Sequence, residues 1–226
     1  MATATAVLDR EAIHVPASAA TLAGFRTWAT SDHFPRQGRV SFIRQEIIVD
    51  MTPEEIETHI KVKAAISSTL FSLSQKLDLG TFYPDGTLVT NKPADLSTEP
   101  DGTFVTWEGF RAGRVRAVPR KDRPGEYREL EGTPNWVLEV VSRSSRLKDT
   151  RLLREAYHRA GVPEYWLIDA LGRTIDFQML CYRRSGYVRA LARRGWLHSR
   201  VFDRDFRLRR RRDPLGFWQY MLEVRP

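Results

Sequence analysis

The chain is 226 residues long, 42% hydrophobic, and carries a net charge of +8, enough for one core that buries about 70% of the unfolded surface. Its one cysteine, Cys181, excludes an internal disulfide and a cysteine-based zinc site and fits a reducing compartment. The first twenty residues lack a basic leader followed by an apolar core, and no stretch approaches the ~20 apolar residues of a membrane span, so a soluble, unexported, cytoplasmic protein is expected.

Residues 1–20 are rich in alanine and threonine without periodicity and read as a flexible arm. The remainder, 21–226, reads as a single domain with a core over about 39–170 and a basic strand extension over 171–226. In TLAGFRTWATSDHF, the spacing of Leu22, Phe25 and Trp28 predicts a short packing helix. VSFIRQEIIVDM reads as an edge hairpin turning at residues 44–46. TPEEIETHI then opens a long amphipathic helix ending near Gly80, with Thr52 as N-cap, Pro53 at the first helical position and Glu55 three residues beyond the cap. Glu55, Glu57 and His59 lie on its first turns, where capping or surface roles compete with recruitment to a site.

Asp85-Gly86 is a turn pair between apolar runs, predicting a hairpin with Asp85 as a turn residue. Asp101 follows Pro100 and precedes the strand-like FVTW, which leaves open either a turn role before Gly102 or a place in a site. Residues 108–133 are charged and rich in glycine and proline, and VRAV and YREL read as a hairpin inserted at a sheet edge.

Residues 135–170 organise the rest. Trp136, Val137, Leu138, Val140 and Val141 form a buried-strand run broken only by Glu139, and a lone carboxylate in such a strand demands a cation or basic partner. A polar turn with Ser145 or Asp149 as N-cap leads into a helix. Leu152, Leu153, Ala156, Tyr157 and Ala160 share its apolar face, with Arg151 on the other. Gly161 is placed as a C-cap, Pro163 stops the helix, and EYWLID returns as a strand, giving a βαβ unit. After residue 170 the pattern alternates like antiparallel strands with arginines at many alternate positions. Residues 183–212 hold twelve arginines against Asp203 and Asp205, so this segment carries +10 and the remaining chain 8 − 10 = −2. Such a surface is either a solvated strand face or the footprint of a polyanion binder.

VLEVVSRSS followed by AYHRAGVPEYWLID, together with EPDGTFV at 99–105, resembles the Uma-two family of putative restriction endonucleases, a branch of the PD-(D/E)XK nuclease superfamily, over roughly residues 25–170. The resemblance implies an α/β fold: a restriction-endonuclease-like αβββαβ core with a mixed central sheet, here extended by C-terminal antiparallel strands. It also implies a Mg2+-dependent endonuclease acting on DNA phosphodiesters, with Mn2+ as a possible substitute and homodimerisation possible by analogy.

Under this resemblance Asp101 matches the metal-binding aspartate, Glu139 the second acidic ligand, and the Val140 carbonyl a further ligand. The family lysine is missing from both expected positions, which are Val141 and Leu153 here, and Asn135 stands where a second aspartate is common. Lys148 is the substitute, with Arg151 behind it. Ser142 and Ser144 are accessory candidates for orienting Glu139 or touching phosphate, and Glu55 and His59 are accessory candidates on the long helix. Arg207, Arg209, Arg210, Arg211 and Arg212 are expected to engage nucleic-acid phosphates. The missing lysine sustains an alternative, a nuclease-like protein that binds nucleic acid without cutting it. A third reading is an accessory protein whose arginine strands bind an acidic partner.

Overall fold

A computed structural model of the chain describes residues 13–120, 123 and 125–226. A short 3-10 turn, Ala17–Ala20, precedes α1, Leu22–Ala29, which Thr21 caps by accepting from the Gly24 N–H. The first twelve residues of the expected arm lie outside the described residues. Within residues 13–20, Ala19 is fully buried and Ile13 packs on the cluster formed by Phe25, Trp28, Val40 and Phe42.

β1, Arg39–Ile43, and β2, Glu46–Asp50, form the expected edge hairpin. A π-helical turn, Ile56–Ile60, leads into α2, Lys61–Lys76, and β3, Gly80–Pro84, follows. Next come β4, Leu88–Asn91, β5, Leu96–Thr98, and β6, Gly102–Thr106, then α3, Trp107–Arg111. β7, Val115–Pro119, and β8, Tyr127–Gly132, pair as the predicted inserted hairpin. β9, Trp136–Val140, a helical segment over Lys148–Leu153, α4 over Arg154–Arg159, and β10, Glu164–Asp169, make the βαβ unit, with β9 and β10 parallel. The chain closes with β11, Asp176–Cys181, β12, Val188–Arg189, β13, Leu197–Ser199, β14, Arg204–Arg212, and β15, Trp218–Arg225.

Three sheets result, ordered β2-β1-β5-β4-β8-β7, β12-β11-β10-β9-β6-β3 and β13-β14-β15. The second is the mixed central sheet, and α2, β3, β6, β9, α4 and β10 trace the αβββαβ order within it. β9 is buried along its whole length because both faces are covered. Trp136, Leu138 and Val140 face α2 and the C-terminal sheet, while Val137 and Val141 face α4, as the two-residue period requires. The C-terminal sheet is pinned to the central one by edge-on aromatic contacts, Trp136 to Phe202 at 5.8 Å and Trp166 to Phe206 at 4.9 Å.

Asp85-Gly86 does not close a hairpin: β3 pairs with β6 in the central sheet and β4 with β5 in the first, so this turn carries the chain between sheets. The long helix also starts later than Thr52. Glu55 is its cap, accepting from the Thr58 N–H, while the preceding Glu54 is held by Arg39 and Lys63. At Gly161, the φ of +74° confirms the left-handed C-cap expected there.

Candidate active site

A cleft of about 350 Å³ opens where β9 ends and the loop after it turns into the helix. Asp101 sits one residue before β6, on the strand adjoining β9. Its N–H donates to the Leu138 carbonyl at 3.0 Å, and its Oδ2 accepts from the Val140 N–H at 2.7 Å, so the carboxylate replaces the next carbonyl of the ladder. Glu139 projects from β9 towards the helix side. Its Oε1 accepts from the Tyr157 hydroxyl at 2.6 Å. Both carboxylates are 1% exposed.

The cleft divides into two electrostatic halves. Around Asp101 the negative charge is answered: Arg39 donates to Asp101 at 2.6 Å and also grips Glu54 and Asp85, and Lys63 bridges Glu54 and Asp85. His59 lies 3.5 Å from Asp101 and 3.3 Å from Glu54. Burial opposes charge on Asp101, yet the His59 hydrogen bond and the Arg39 guanidinium hold its carboxyl well below the usual range. The same histidine, then Lys63 and Arg39, hold Glu54 down at about 2 against burial.

Around Glu139 two buried carboxyls, its own and that of Asp149, share the Lys148 ammonium. Burial and the neighbouring Asp149 push its carboxyl well above the ordinary value, against the pull of Lys148. Asp149 itself is pushed up to about 6, mainly by burial. It is 1% exposed, and its Oδ1 is buried without a hydrogen-bond partner among the described residues, with the Lys148 ammonium 3.6 Å away. Lys148 is raised despite burial, because Glu139 and Asp149 face it, so it stays a cation.

Glu54, His59 and Asp101 offer ligand atoms within 4.8 Å of one another, but Arg39 and Lys63 already neutralise that trio. Glu139 and Asp149, by contrast, are buried carboxyls that share the Lys148 ammonium.

The protonated state of His59 has a consequence for stability. Burial disfavours its charge, but Asp101 and Glu54 raise its pKa from 6.5 to about 9. The folded protein therefore keeps a proton that the unfolded chain releases, and this contribution, at most about 3 kcal/mol, is complete below pH 6.5 and lost as pH rises through about 9. Asp149, raised to about 6, acts in the same direction from about pH 4. In chelator, the thermal midpoint should fall as pH increases from about 6 to about 9. His59→Gln should flatten that fall, and an unchanged slope in the variant contradicts the assignment.

The remaining sequence candidates separate cleanly. Val140, Ser142, Ser144 and Lys148 line the cleft, with Asp101 and Glu139. Ser142 Oγ accepts from the Ser145 N–H at 3.0 Å and so caps the turn before the helix, a role expected of Ser145 or Asp149. Ser144 donates to Asp50 at 2.8 Å. Glu55 is exposed and spent on its cap, and the preceding Glu54 occupies the cleft in its place. Arg151 is 73% exposed and reaches only Glu155, at 3.8 Å, because it points from the solvent face of the helix. Leu153, at a lysine position of the family, is fully buried among Val137, Val141 and Tyr165. Asn135 accepts from the Thr106 N–H at 3.0 Å, fixing the start of α3.

The arginine strand is partly committed to its own sheet. Arg207 pairs with Glu223 at 2.6 Å, Arg210 donates to the carbonyls of Ala170, Gly172 and Arg173, and Arg212 stacks on Trp218. Arg209 is 61% exposed, 3.7 Å from Glu223, and Arg211 donates to Gln219 at 3.2 Å. The β14–β15 turn lies beside the start of α2, where the Trp218 N–H donates to Glu57 at 2.6 Å. That is the helix start that carries His59 into the cleft.

A crystal structure of a putative nuclease belonging to DUF820 from Anabaena variabilis ATCC 29413 superposes with a TM-score of 0.59 at 17% identity, over 81% of this chain and 90% of that one. This likeness is one of fold. No curated protein matches the chain. No helix among the described residues is long and apolar enough to cross a membrane. The model of the Uma2 family, described as putative restriction endonuclease, matches residues 23–210, and the chain belongs to that family.

Proposed function

We propose that the chain is a Mg2+-dependent endonuclease that hydrolyses DNA phosphodiester bonds in the Asp101–Glu139 cleft, with Mn2+ as a substitute. The observation that carries this reading is the pair of buried carboxylates on adjoining strands that line one cleft. Asp101, Glu139 and the Val140 carbonyl would hold the ion, which when bound supplies positive charge to the phosphoryl oxygens and positions the attacking water. Lys148, kept protonated by its acidic neighbours, stabilises charge developing on the phosphoryl group and does not act as a base. Tyr157 fixes the Glu139 carboxyl through its hydroxyl. Arg209, Arg211 and Arg212, near the turn beside α2, would take backbone phosphates leading into the cleft.

Two features favour a second reading, a nucleic-acid binder without turnover: Leu153 fills a family lysine position with buried hydrocarbon, and Arg39 already occupies Asp101 Oδ1. End-labelled duplex DNA, single-stranded DNA and RNA, each incubated with Mg2+, separate these. The nuclease reading expects internal cuts in DNA by the wild type and none by Asp101→Ala. Salt-sensitive binding of every substrate without cleavage would establish the second reading, and cuts confined to RNA would change the substrate class.

A further inference from the structure

A second concavity, of about 720 Å³, lies at the opposite end of the central sheet and is lined by Arg183, Arg189, Arg193, Arg200 and Arg225 against one carboxylate, Asp205. Strand register fixes its position. Cys181, on its wall, pairs with Glu164, which pairs with Trp136 at the start of β9. The cleft opens at Val140, opposite Ile168, so the two sites are about 13 Å apart along the strand direction.

The charges of this pocket are only partly answered. Arg225 pairs with Asp205 at 2.9 Å and Arg189 with Asp176 at 2.6 Å. Arg183, Arg193 and Arg200 form no ion pair among the described residues, and all three are exposed. One wall is braced by the Trp196 indole, stacked against Arg207 at 4.5 Å and Arg225 at 4.4 Å. Guanidiniums gathered without carboxylates repel one another, and their planar forks match phosphate oxygens. A convex arginine surface would simply be solvated. A concavity of nucleotide size brings these groups onto one anion.

We propose that this pocket is a second phosphate-binding site, distinct from the cleft, and that the phosphate comes from the backbone of a nucleic acid whose other segment lies in the cleft. The source of the phosphate rests on the nuclease reading; the phosphate chemistry stands without it. The test measures binding of a fluorescent duplex by anisotropy, in chelator and over a range of salt, for full-length wild type and Arg193→Glu/Arg200→Glu. Loss of two phosphate contacts should weaken binding by about tenfold or more and make the salt slope shallower by about two.

A parallel arm follows the thermal midpoint with millimolar inorganic pyrophosphate. Stabilisation of the wild type but not of the double variant, with duplex binding equal in both, would keep the phosphate site and assign it to a free ligand. Equal duplex affinity, equal slope and equal response to pyrophosphate in the two proteins overturn the proposal. A wild type that binds no duplex counts against the nuclease reading alone, and the pyrophosphate arm still decides the pocket.

Discussion

Replacing Glu139 with glutamine should eliminate metal-dependent cleavage while leaving the protein as stable as the wild type, or more so, in chelator. Burial and Asp149 push the Glu139 carboxyl well above its ordinary value in the absence of an ion, so a neutral amide suits this buried position and can still accept from Tyr157 at the position of Oε1. What the variant lacks is the capacity to become a carboxylate when a cation arrives. Loss of such an electrostatic partner costs about a hundredfold to a thousandfold in rate, or more where a metal is lost with it. The two readouts move apart: activity vanishes and the melting temperature holds. Divalent ions should raise the melting temperature of the wild type and not that of Glu139→Gln. A variant that melts much earlier in chelator would mean that Glu139 is an ionised structural anchor, contrary to the charge balance described here.

Arg39→Met should be among the most destabilising single substitutions in the chain. Arg39 is the junction of Asp101, Glu54 and Asp85, and Asp101 is 1% exposed. Removing one partner of a buried pair leaves the other charge uncompensated, at a cost of about 3–5 kcal/mol. Lys63 and His59 soften the loss but stand farther from Asp101, at 3.7 and 3.5 Å. Adding Asp101→Asn to Arg39→Met should restore part of the stability, because the orphaned charge is removed with its partner. Additive losses in the double variant, measured by denaturant unfolding, would show that Arg39 acts elsewhere.

The parts of the site written in local pattern were legible from the sequence. Glu139 stood out because a lone carboxylate interrupts an apolar strand, and Gly161 with Pro163 marked the helix end that sets the parallel return. Asp101 was legible as a strand-entry carboxylate, although its hydrogen bond to Val140 depends on a neighbour far along the chain. Arg39 was not legible: at the start of an edge hairpin it looks like a surface residue, and its three partners come from residues 54, 85 and 101. Asp149 carries the signature of a helix cap but lies inside the helical segment, where its N–H donates to the Ser145 carbonyl and its side chain is buried. Tyr157 read as apolar helix face, and periodicity does not report where a hydroxyl ends. Glu55 and Glu54 are adjacent, and only the late start of the helix decides which one enters the cleft. The turn at Asp85-Gly86 has the same local chemistry whether the chain folds back or crosses to another sheet, so the choice rests on long-range pairing with β5 and β6.

The most direct measurement is conversion of supercoiled plasmid to nicked and linear forms by purified wild type and Glu139→Gln, in Mg2+, in Mn2+ and in chelator. Conversion by the wild type is expected with either ion, with none in chelator and none by the variant under any condition. Conversion that persists in chelator or in Glu139→Gln would contradict the assignment of metal-dependent cleavage to this cleft.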